Sequence, residues 1–353
     1  MGENKCHQIH IGKKSSVCPD LKVHESKMAK VVVDPYLGDV LSEDCSNKRN
    51  IESKCNKGMG LISSIMTILT EVCLGSYYFE TAVLLRESIF INGILTNLEV
   101  CYNLTKDNIN CLENLDKVLL KKIFQSHSKV PSEALFLESG CYSVKFYIIS
   151  RRLNFLHYIL NRPEKDLLRN FFEIQSKYPA KNDWCLTVRE DLAYFNINLS
   201  FEDIKIMSKD SFSKLVKAKT KETAFKELMA TKYQHSKMQH LSYKELKMQS
   251  YLCSKVYPDV AKAIFRYRTS TSNCKANFPS MFRQTNPDGV QDMNCPECLI
   301  HDDTQLHLLD HAEIPQNTST QEIYMKLFSD SASDNLEVAS LLESVMKRRN
   351  SNK

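Results

Sequence analysis

The sequence predicts a mainly α-helical protein, with a small β remnant near the N-terminus and a zinc knuckle near the C-terminus. First, the 353 residues include only 9 Gly and 10 Pro, about half the usual share, which is too few for a protein built of β-hairpins. Second, apolar side chains recur at helical spacing along most of the chain. Third, two cysteines and two histidines near the C-terminus have the spacing of a metal site.

The N-terminal part carries the only β signal in the sequence. Residues 1–30 contain few apolar side chains and are predicted to be disordered. The β-branched residues 31–33 and the following residues 34–41 together predict a strand, a turn and a second strand.

From residue 56 onward the pattern changes to a helical period. Apolar side chains from Ile62 to Cys73 fall on one face of a helix that Gly75 ends. Residues 78–98 predict a helix that is apolar on more than one face, and Thr105 caps a third helix. No internal repeat is visible, and further helices are predicted over residues 131–140, 144–160, 163–177, 184–195, 211–232, 243–254, 258–267, 320–328 and 335–348.

Several classes of protein are disfavoured by composition. No window of 18 residues is free of charge, so we expect no membrane span. The N-terminus has no continuous apolar segment of the kind found in secretory signals. The 13 cysteines are odd in number and scattered, which favours reduced thiols. We therefore expect a protein of the nucleus or cytoplasm that is not secreted.

Charge is distributed unevenly along the chain. Residues 201–283 carry 17 Lys and Arg against 7 Asp and Glu, a net charge of +10. Residues 284–353 carry 5 against 12, a net charge of −7. A basic block of this density is compatible with contacts to the phosphates of a nucleic acid. The alternative is a set of solvated helix faces, because Lys is common on any protein surface.

One motif has specific chemistry. Cys295 and Cys298 are followed by His307 and His311, in the pattern Cys-x2-Cys-x8-His-x3-His. Two cysteines at this spacing can bind one ion from a tight turn, and two histidines at i and i+4 share one face of a helix. Four such ligands predict a structural Zn²⁺ site, with His301 as a possible substitute ligand in the loop. The alternative is two buried cysteines and two surface histidines.

Basic and aromatic residues alternate shortly before this motif. Residues 265–268 read Phe-Arg-Tyr-Arg, and further cations follow. Arginine can pair with phosphates and stack on bases, so the predicted nucleic-acid-binding residues are Arg266, Arg268, Lys275 and Arg283. The alternative is the end of an amphipathic helix with solvated arginines.

The C-terminal motifs also resemble a known family. The segments at residues 266–269, 275–278, 295–298, 303–305 and 307–309 are similar to the C-terminal end of non-LTR retrotransposon reverse transcriptases. That end carries a zinc knuckle of Cys, Cys, His and Cys, and here His311 stands at the last ligand position.

Upstream segments resemble other parts of the same family in consistent order. Residues 36–39 are similar to the end of the polymerase palm, residues 56–58, 95–100 and 104–105 to the thumb, and residues 150–162 and 183–188 to the helical region beyond it. The resemblance covers about residues 31–350. It implies a palm-end remnant over 31–55, a thumb-like helical region over 56–130, a basic connection region over 131–285, the zinc knuckle over 286–315 and a helical acidic tail over 316–353.

The family's catalytic carboxylates have no counterpart in this sequence. Two-metal phosphoryl transfer needs converging carboxylates, which the family places in a Tyr/Phe-x-Asp-Asp turn. This sequence has no such turn, and its one adjacent pair, Asp302-Asp303, lies within the Cys/His motif. Phosphate-loop, nucleophile-elbow and His-Glu-x-x-His motifs are also absent.

We therefore expect a truncated reverse-transcriptase-like protein without polymerase activity. Its expected partner is RNA or an RNA–DNA hybrid, bound through basic helices and the zinc knuckle. The alternative is a helical protein-interaction scaffold with a structural zinc site.

Overall fold

A computed structural model of the chain describes residues 7–10, 19–23, 26–72, 75–126, 129–181, 183–253, 256–272, 274, 277, 293–295, 298–311, 318–329 and 331–351. Most of these residues lie in helices, so the predicted mainly helical fold is confirmed. None of the described helices combines the length and the apolar content that a membrane span requires.

The described part of the chain contains the following α-helices. They are α1 Lys48–Glu71, α2 Tyr78–Leu85, α3 Asn92–Ile94, α4 Lys106–Phe124, α5 Ser132–Ser139, α6 Val144–Leu160, α7 Leu167–Lys177, α8 Trp184–Tyr194, α9 Phe201–Ile206, α10 Lys209–Lys232, α11 Pro258–Arg268, α12 Gln305–Asp310, α13 Thr320–Lys326 and α14 Ala332–Ser351. Short 3-10 turns occur at Gly75–Tyr77, Leu98–Val100, Ser236–Met238 and Ser250–Leu252, and a π-helical segment at Arg86–Ile91.

The β-structure consists of short strand pairs. Strands β1 (His7–Gln8), β2 (Lys22–Val23), β3 (Ser26–Lys27) and β4 (Ala29–Lys30) pair as β1 with β4 and β2 with β3. These pairs differ from the disorder expected over residues 1–30. Strands β5 (Val33–Tyr36) and β6 (Asp39–Ser42) form an antiparallel hairpin, which confirms the predicted β remnant. Its two turn residues, Leu37 and Gly38, have the positive φ angles that tight hairpin turns need.

Two predicted helices have different bounds for identifiable reasons. Helix α1 begins at Lys48 rather than residue 56, because its polar first turns are anchored by the buried Lys54. The Lys54 ammonium lies 2.8 Å from Asp39 and donates to the Thr96 carbonyl at 2.6 Å. The predicted helix over 78–98 is divided into α2, the π-helical segment and α3, and it ends before Asn97, whose φ is +61°.

The helix predicted over residues 243–254 is wrong. Met248 instead forms a β-bridge with Ser139 at the end of α5, and the Gln249 amide donates to the Glu138 carbonyl at 3.0 Å. Gly140, with φ +71°, ends α5 and allows this close approach of the two backbones. Pairing with a distant segment therefore outweighs the local helical pattern.

Contacts group the chain into two compact units, each made of separate stretches. Unit 1 comprises residues 1–64, 87–116 and 143–223, and unit 2 comprises residues 65–86, 117–142 and 224–353. The segments predicted from the resemblance remain predictions, because contact grouping does not test them.

An aromatic cluster lies in the core of unit 1. Trp184, at the start of α8, packs edge-on against Phe155 and Phe172, and its indole Nε1 donates to the Glu99 carbonyl at 2.9 Å. Asp183 caps α8 by accepting from the Leu186 amide at 2.6 Å, as Asp at this position is expected to do. The cluster fixes α6, α7 and α8 against one another.

The core of unit 2 contains a row of three aromatic rings. Phe79 packs on Phe124 with ring centroids 5.2 Å apart, and Phe124 packs on Phe265 at 4.4 Å. Tyr78 adds a buried hydrogen bond from its hydroxyl to the Ile123 carbonyl. The row joins α2, α4 and α11.

Candidate metal centre

The four side chains of the Cys/His motif converge on one point in unit 2. The Cys298 Sγ lies 3.3 Å from the His307 Nε2, and the Cys295 Sγ lies 3.4 Å from the His311 Nε2. The two histidine Nε2 atoms are 3.1 Å apart, and one donor atom from each of the four residues lies within 4.8 Å of the others. Cys295 is buried and the other three are partly buried, so this cluster could hold a metal ion.

Local hydrogen bonds bring the two cysteines to the site. The Cys295 amide donates to the His301 carbonyl at 2.7 Å, and the Leu299 amide donates back to the Cys295 carbonyl at 2.8 Å. Leu299 takes a left-handed conformation with φ +58°, which turns the chain sharply after Cys298. This turn places both thiols on the same side of the loop.

A short helix positions the two histidines. Thr304 caps α12, because its hydroxyl accepts from the His307 amide at 3.1 Å. His307 lies within the helix and His311 follows its last residue, so the two imidazoles share one face. His307 and His311 therefore lie on the same face of α12, as their i, i+4 spacing predicts.

Amide groups around Cys298 favour its thiolate form. The pKa of the Cys298 thiol is lowered to about 5, first by backbone N–H groups of His301 and Ile300 and then by the imidazoles of His301 and His307. Thiolates are the form that binds metal ions. His301 has its Nδ1 atom 3.9 Å from the Cys298 sulfur and is not one of the four converging residues.

A second layer of contacts orients the ligands. The Asp310 carboxylate accepts from the His307 Nδ1 at 3.2 Å, and the Thr320 hydroxyl donates to the same carboxylate at 2.9 Å. A carboxylate at Nδ1 leaves Nε2 free to bind a metal and raises its basicity. Sequence reasoning missed Asp310, although its position three residues after His307 is a usable signal.

Helix α12 is also fixed to the end of α11. The side-chain Nε2 of Gln305 donates to the Tyr267 carbonyl at 2.6 Å, and its side-chain oxygen accepts from the Ser272 hydroxyl at 2.8 Å. Gln305 is buried, so these bonds are shielded from water. The histidine helix therefore has a fixed place in unit 2.

Of the four predicted nucleic-acid-binding residues, the structure describes Arg266 and Arg268, and neither is fully exposed. Arg268 is completely buried, so the prediction that it binds a phosphate is wrong. Arg266 is half-buried and donates to the Gln125 carbonyl at 3.2 Å. Lys275 and Arg283 lie outside the described residues.

Arg268 belongs to an internal network that the sequence did not indicate. Its Nε lies 3.0 Å and 3.2 Å from the two oxygens of Glu138, and both side chains are 0% exposed. The Tyr243 and Tyr251 hydroxyls donate to the same carboxylate at 2.5 Å and 2.8 Å. A further guanidinium bond reaches the Leu327 carbonyl at 2.8 Å, which ties α5, α11 and the end of α13 together.

Burial and the Glu138 carboxylate shift the pKa values of three members of this network, Tyr243, Tyr251 and Arg268. Burial raises the pKa of both tyrosines well above the usual value, and the Glu138 carboxylate adds to that effect. Burial opposes the charge on Arg268, but the carboxylate outweighs it and raises the pKa of the guanidinium. The network therefore contains a cationic guanidinium and two neutral hydroxyl donors.

Exposed lysines lie instead on α10. Lys214, Lys217 and Lys221 are exposed and recur at helical spacing, within unit 1. We call these three residues the lysine stripe. The sequence from 211 to 221 contains no acidic residue, so the stripe is a local concentration of positive charge. Sequence reasoning recognised the basic stretch but singled out the arginines after it.

Comparisons of the chain with protein-family models, with curated proteins and with solved structures found no match.

Proposed function

We propose that this chain is a reverse-transcriptase-like nucleic-acid-binding protein that lacks a polymerase active site. The observation that carries the proposal is the lysine stripe, which presents three exposed ammonium groups over about 10 Å of helix. Ammonium groups along one face neutralise consecutive phosphates without reading sequence. The proposed ligand is RNA or an RNA–DNA hybrid, in keeping with the resemblance of the sequence motifs to retrotransposon enzymes.

We further propose that the metal ion is zinc and that its role is structural. A tetrahedral zinc ion with Zn–S bonds of about 2.3 Å and Zn–N bonds of about 2.0 Å places neighbouring donor atoms roughly 3.3 to 3.8 Å apart. Three of the spacings between donor atoms are 3.1 to 3.4 Å and all four atoms lie within 4.8 Å of one another, which is compatible with an ion of this size. Two thiolates and two imidazoles leave no open coordination position, which suits a stabilising rather than a catalytic ion.

The first prediction concerns the lysine stripe. Replacing Lys214, Lys217 and Lys221 together with Gln should weaken binding to a single-stranded RNA oligonucleotide. Each lost phosphate contact removes about 0.7 from the slope of log K against log salt for a single strand, so the slope should fall by up to about 2. Fluorescence anisotropy over a series of salt concentrations measures both quantities.

A matched control keeps the change in net charge the same. Lys48, Lys57 and Lys106 are also exposed in unit 1 and are changed to Gln in the control variant. The control should retain most of the parent's affinity and slope. Equal losses in both variants would show that net charge alone governs binding and would rule out the stripe as the binding face.

The second prediction concerns catalysis. Primer extension by the purified chain, with Mg²⁺ or Mn²⁺, should give no product above background, because the sequence has no Tyr/Phe-x-Asp-Asp turn to hold two metal ions. Incorporation of nucleotides by homogeneous protein would show that another set of carboxylates forms an active site.

One observation favours the second candidate function, a protein-interaction scaffold. Helix α7 exposes a row of large apolar side chains, and contiguous apolar surface of this kind is typical of protein interfaces. The two functions are compatible, because the apolar row lies on α7 and the lysine stripe lies on α10. Steep salt dependence of complex formation would favour nucleic acid, and weak dependence would favour the scaffold.

A further inference from the structure

Helix α1 and the beginning of α4 lie side by side within unit 1. Just before the two helices begin, the Asn47 side-chain amide donates to the side-chain oxygen of Asn103. Further along, Gly58 of α1 faces Leu115 of α4 so closely that a β-carbon on Gly58 would lie 2.3 Å from the Leu115 Cδ2 atom. Both contacts join residues that are nearly the same number of positions apart in the sequence, so the two segments run in the same direction.

Two cysteines lie between these contacts, one on each helix. Cys55 precedes Gly58 by three residues on α1. Cys111 precedes Leu115 by four residues on α4. Side chains three or four residues apart share one face of a helix, so both thiols belong to the faces that meet at Gly58. The two cysteines are separated by the same number of residues as the two asparagines, which places them at the same level along the pair of helices.

The two thiols are also close enough to interact electrostatically. Burial raises the pKa of the Cys55 thiol, and negative charge at Cys111 and Glu52 raises it further. A like charge raises the pKa of an acid when the two groups are near each other. This effect agrees with the placement of Cys111 opposite Cys55.

Both thiols can be reached from the solvent, to different degrees. Cys111 is exposed and Cys55 is half-buried. Neither belongs to the Cys/His cluster, which lies in unit 2. The exposed thiol should therefore react first with a dissolved reagent, and the half-buried thiol is placed to react second.

We propose that Cys55 and Cys111 are a site of reversible oxidation, at which a low-molecular-weight disulfide converts the two thiols into a disulfide bond between α1 and α4. A disulfide needs β-carbons about 3.8 Å apart. Two helices can approach this closely beside a glycine, because glycine has no side chain to hold them apart. The site is independent of the proposed nucleic-acid binding.

The reaction consists of two successive thiol–disulfide exchanges. The Cys111 thiolate attacks one sulfur of oxidised glutathione, so a mixed disulfide forms and one glutathione thiolate leaves. The Cys55 thiolate then attacks the Cys111 sulfur of the mixed disulfide, and the second glutathione thiolate leaves. The two protons lost by the cysteines are taken up by the two leaving thiolates. Two cysteine thiols are thereby oxidised, and one glutathione disulfide is reduced to two thiols.

Peptide mapping by mass spectrometry tests the site in the full zinc-loaded chain. The protein is equilibrated with reduced and oxidised glutathione in different ratios, and the remaining thiols are blocked by alkylation. The parent should yield a cross-linked peptide pair that contains Cys55 and Cys111. The yield of this pair should rise with the share of oxidised glutathione, and dithiothreitol should abolish it.

Single variants distinguish the first thiol to react from the second. In Cys55→Ser the second exchange cannot occur, so Cys111 should accumulate as the mixed disulfide with glutathione. In Cys111→Ser, Cys55 should stay largely reduced at the same glutathione ratio. Cys45→Ser removes another exposed cysteine of unit 1 and should form the cross-link like the parent.

Moving the exposed thiol by one residue tests the geometry. Asn110 is exposed and directly precedes Cys111, so its side chain lies about 100° away around the helix axis. Combining Cys111→Ser with Asn110→Cys keeps the number of thiols unchanged. This double variant should form the mixed disulfide at residue 110 but no cross-link to Cys55.

Four results would overturn the inference. Thiols that both stay reduced in the most oxidising buffer are not a site of oxidation. A parent in which Cys111 remains a mixed disulfide lacks a second thiol within reach. A bond from Cys111 to another cysteine, or to a second copy of the chain, identifies a different partner. An undiminished cross-link in the double variant removes the geometric basis of the site. Circular dichroism of every variant confirms that a lost cross-link is not lost folding.

Discussion

The Cys298→Ser variant is expected to lose stoichiometric zinc and, with it, the fixed structure of the Cys/His loop. Structural zinc supplies much of the folding free energy of its own subdomain, about 10 to 16 kcal/mol in isolated zinc-finger peptides. Serine removes the thiolate that lies 3.3 Å from the His307 Nε2. Elemental analysis measures the metal, and hydrogen exchange over residues 298–311 measures the loss of protection.

A cysteine outside the cluster provides the control. Cys111 is exposed in unit 1, and Cys111→Ser should retain one zinc ion and the parent's exchange pattern. Unchanged metal content in Cys298→Ser would remove this residue from the ligand set. Because α12 is bonded to the end of α11 through Gln305, loss of the metal should also increase exchange near residues 267–272.

The Glu138→Ala variant is expected to destabilise unit 2 by about 3 to 5 kcal/mol. The substitution leaves the guanidinium of Arg268 buried without its counter-charge and takes the acceptor from Tyr243 and Tyr251. A loss of this size is a large part of the 5 to 15 kcal/mol that holds a typical domain folded. Urea unfolding, followed by tyrosine fluorescence and circular dichroism, measures the change.

Two further variants test whether the loss of stability comes from the unpaired buried charge of Arg268. Glu52→Ala removes an exposed carboxylate and should change the free energy of unfolding by less than about 0.5 kcal/mol. Glu138→Leu combined with Arg268→Met removes both buried charges and should recover much of the lost stability. If Glu138→Ala unfolds at the parent's urea concentration, the network has no stabilising role.

The convergence of the four Cys and His side chains could be predicted, because it follows from the short spacing of residues in the sequence. Cys295 and Cys298 belong to one turn, and His307 and His311 to one turn of helix, so local geometry nearly fixes each pair. The meeting of the two pairs depends only on a short loop. Asp310 and Gln305 were missed because the sequence does not show which polar side chains turn toward the ligands.

The Glu138–Arg268 network could not be predicted, because its members are far apart in the sequence. Arg268 lies in a pattern of alternating arginine and aromatic residues that equally fits a surface for nucleic acid. Its burial depends on a carboxylate 130 residues earlier. The sequence shows that a charged side chain is present. Only the tertiary structure shows whether a counter-charge allows that side chain to be buried.

Helix predictions were accurate over long apolar periods, whereas one short helix was missed and one segment with a distant partner was wrongly predicted to be helical. Asp183 and Pro131 precede helices close to the predicted bounds. The helix α9 was missed, although Ser200 and Asp203 form a capping box at its start. Residues 243–254 have a helical pattern, but their backbone pairs with the end of α5 instead.

The fold requires glycine at position 140. A β-carbon at this position would lie 2.2 Å from the Met248 amide nitrogen and 2.4 Å from the Lys247 carbonyl carbon, and neither backbone atom can yield. Any side chain there would push residues 247–248 away from α5. The same segment lies between Tyr243 and Tyr251, so even the smallest substitution would separate both hydroxyls from Glu138. The geometry of the buried charge pair therefore depends on one residue that has no side chain at all.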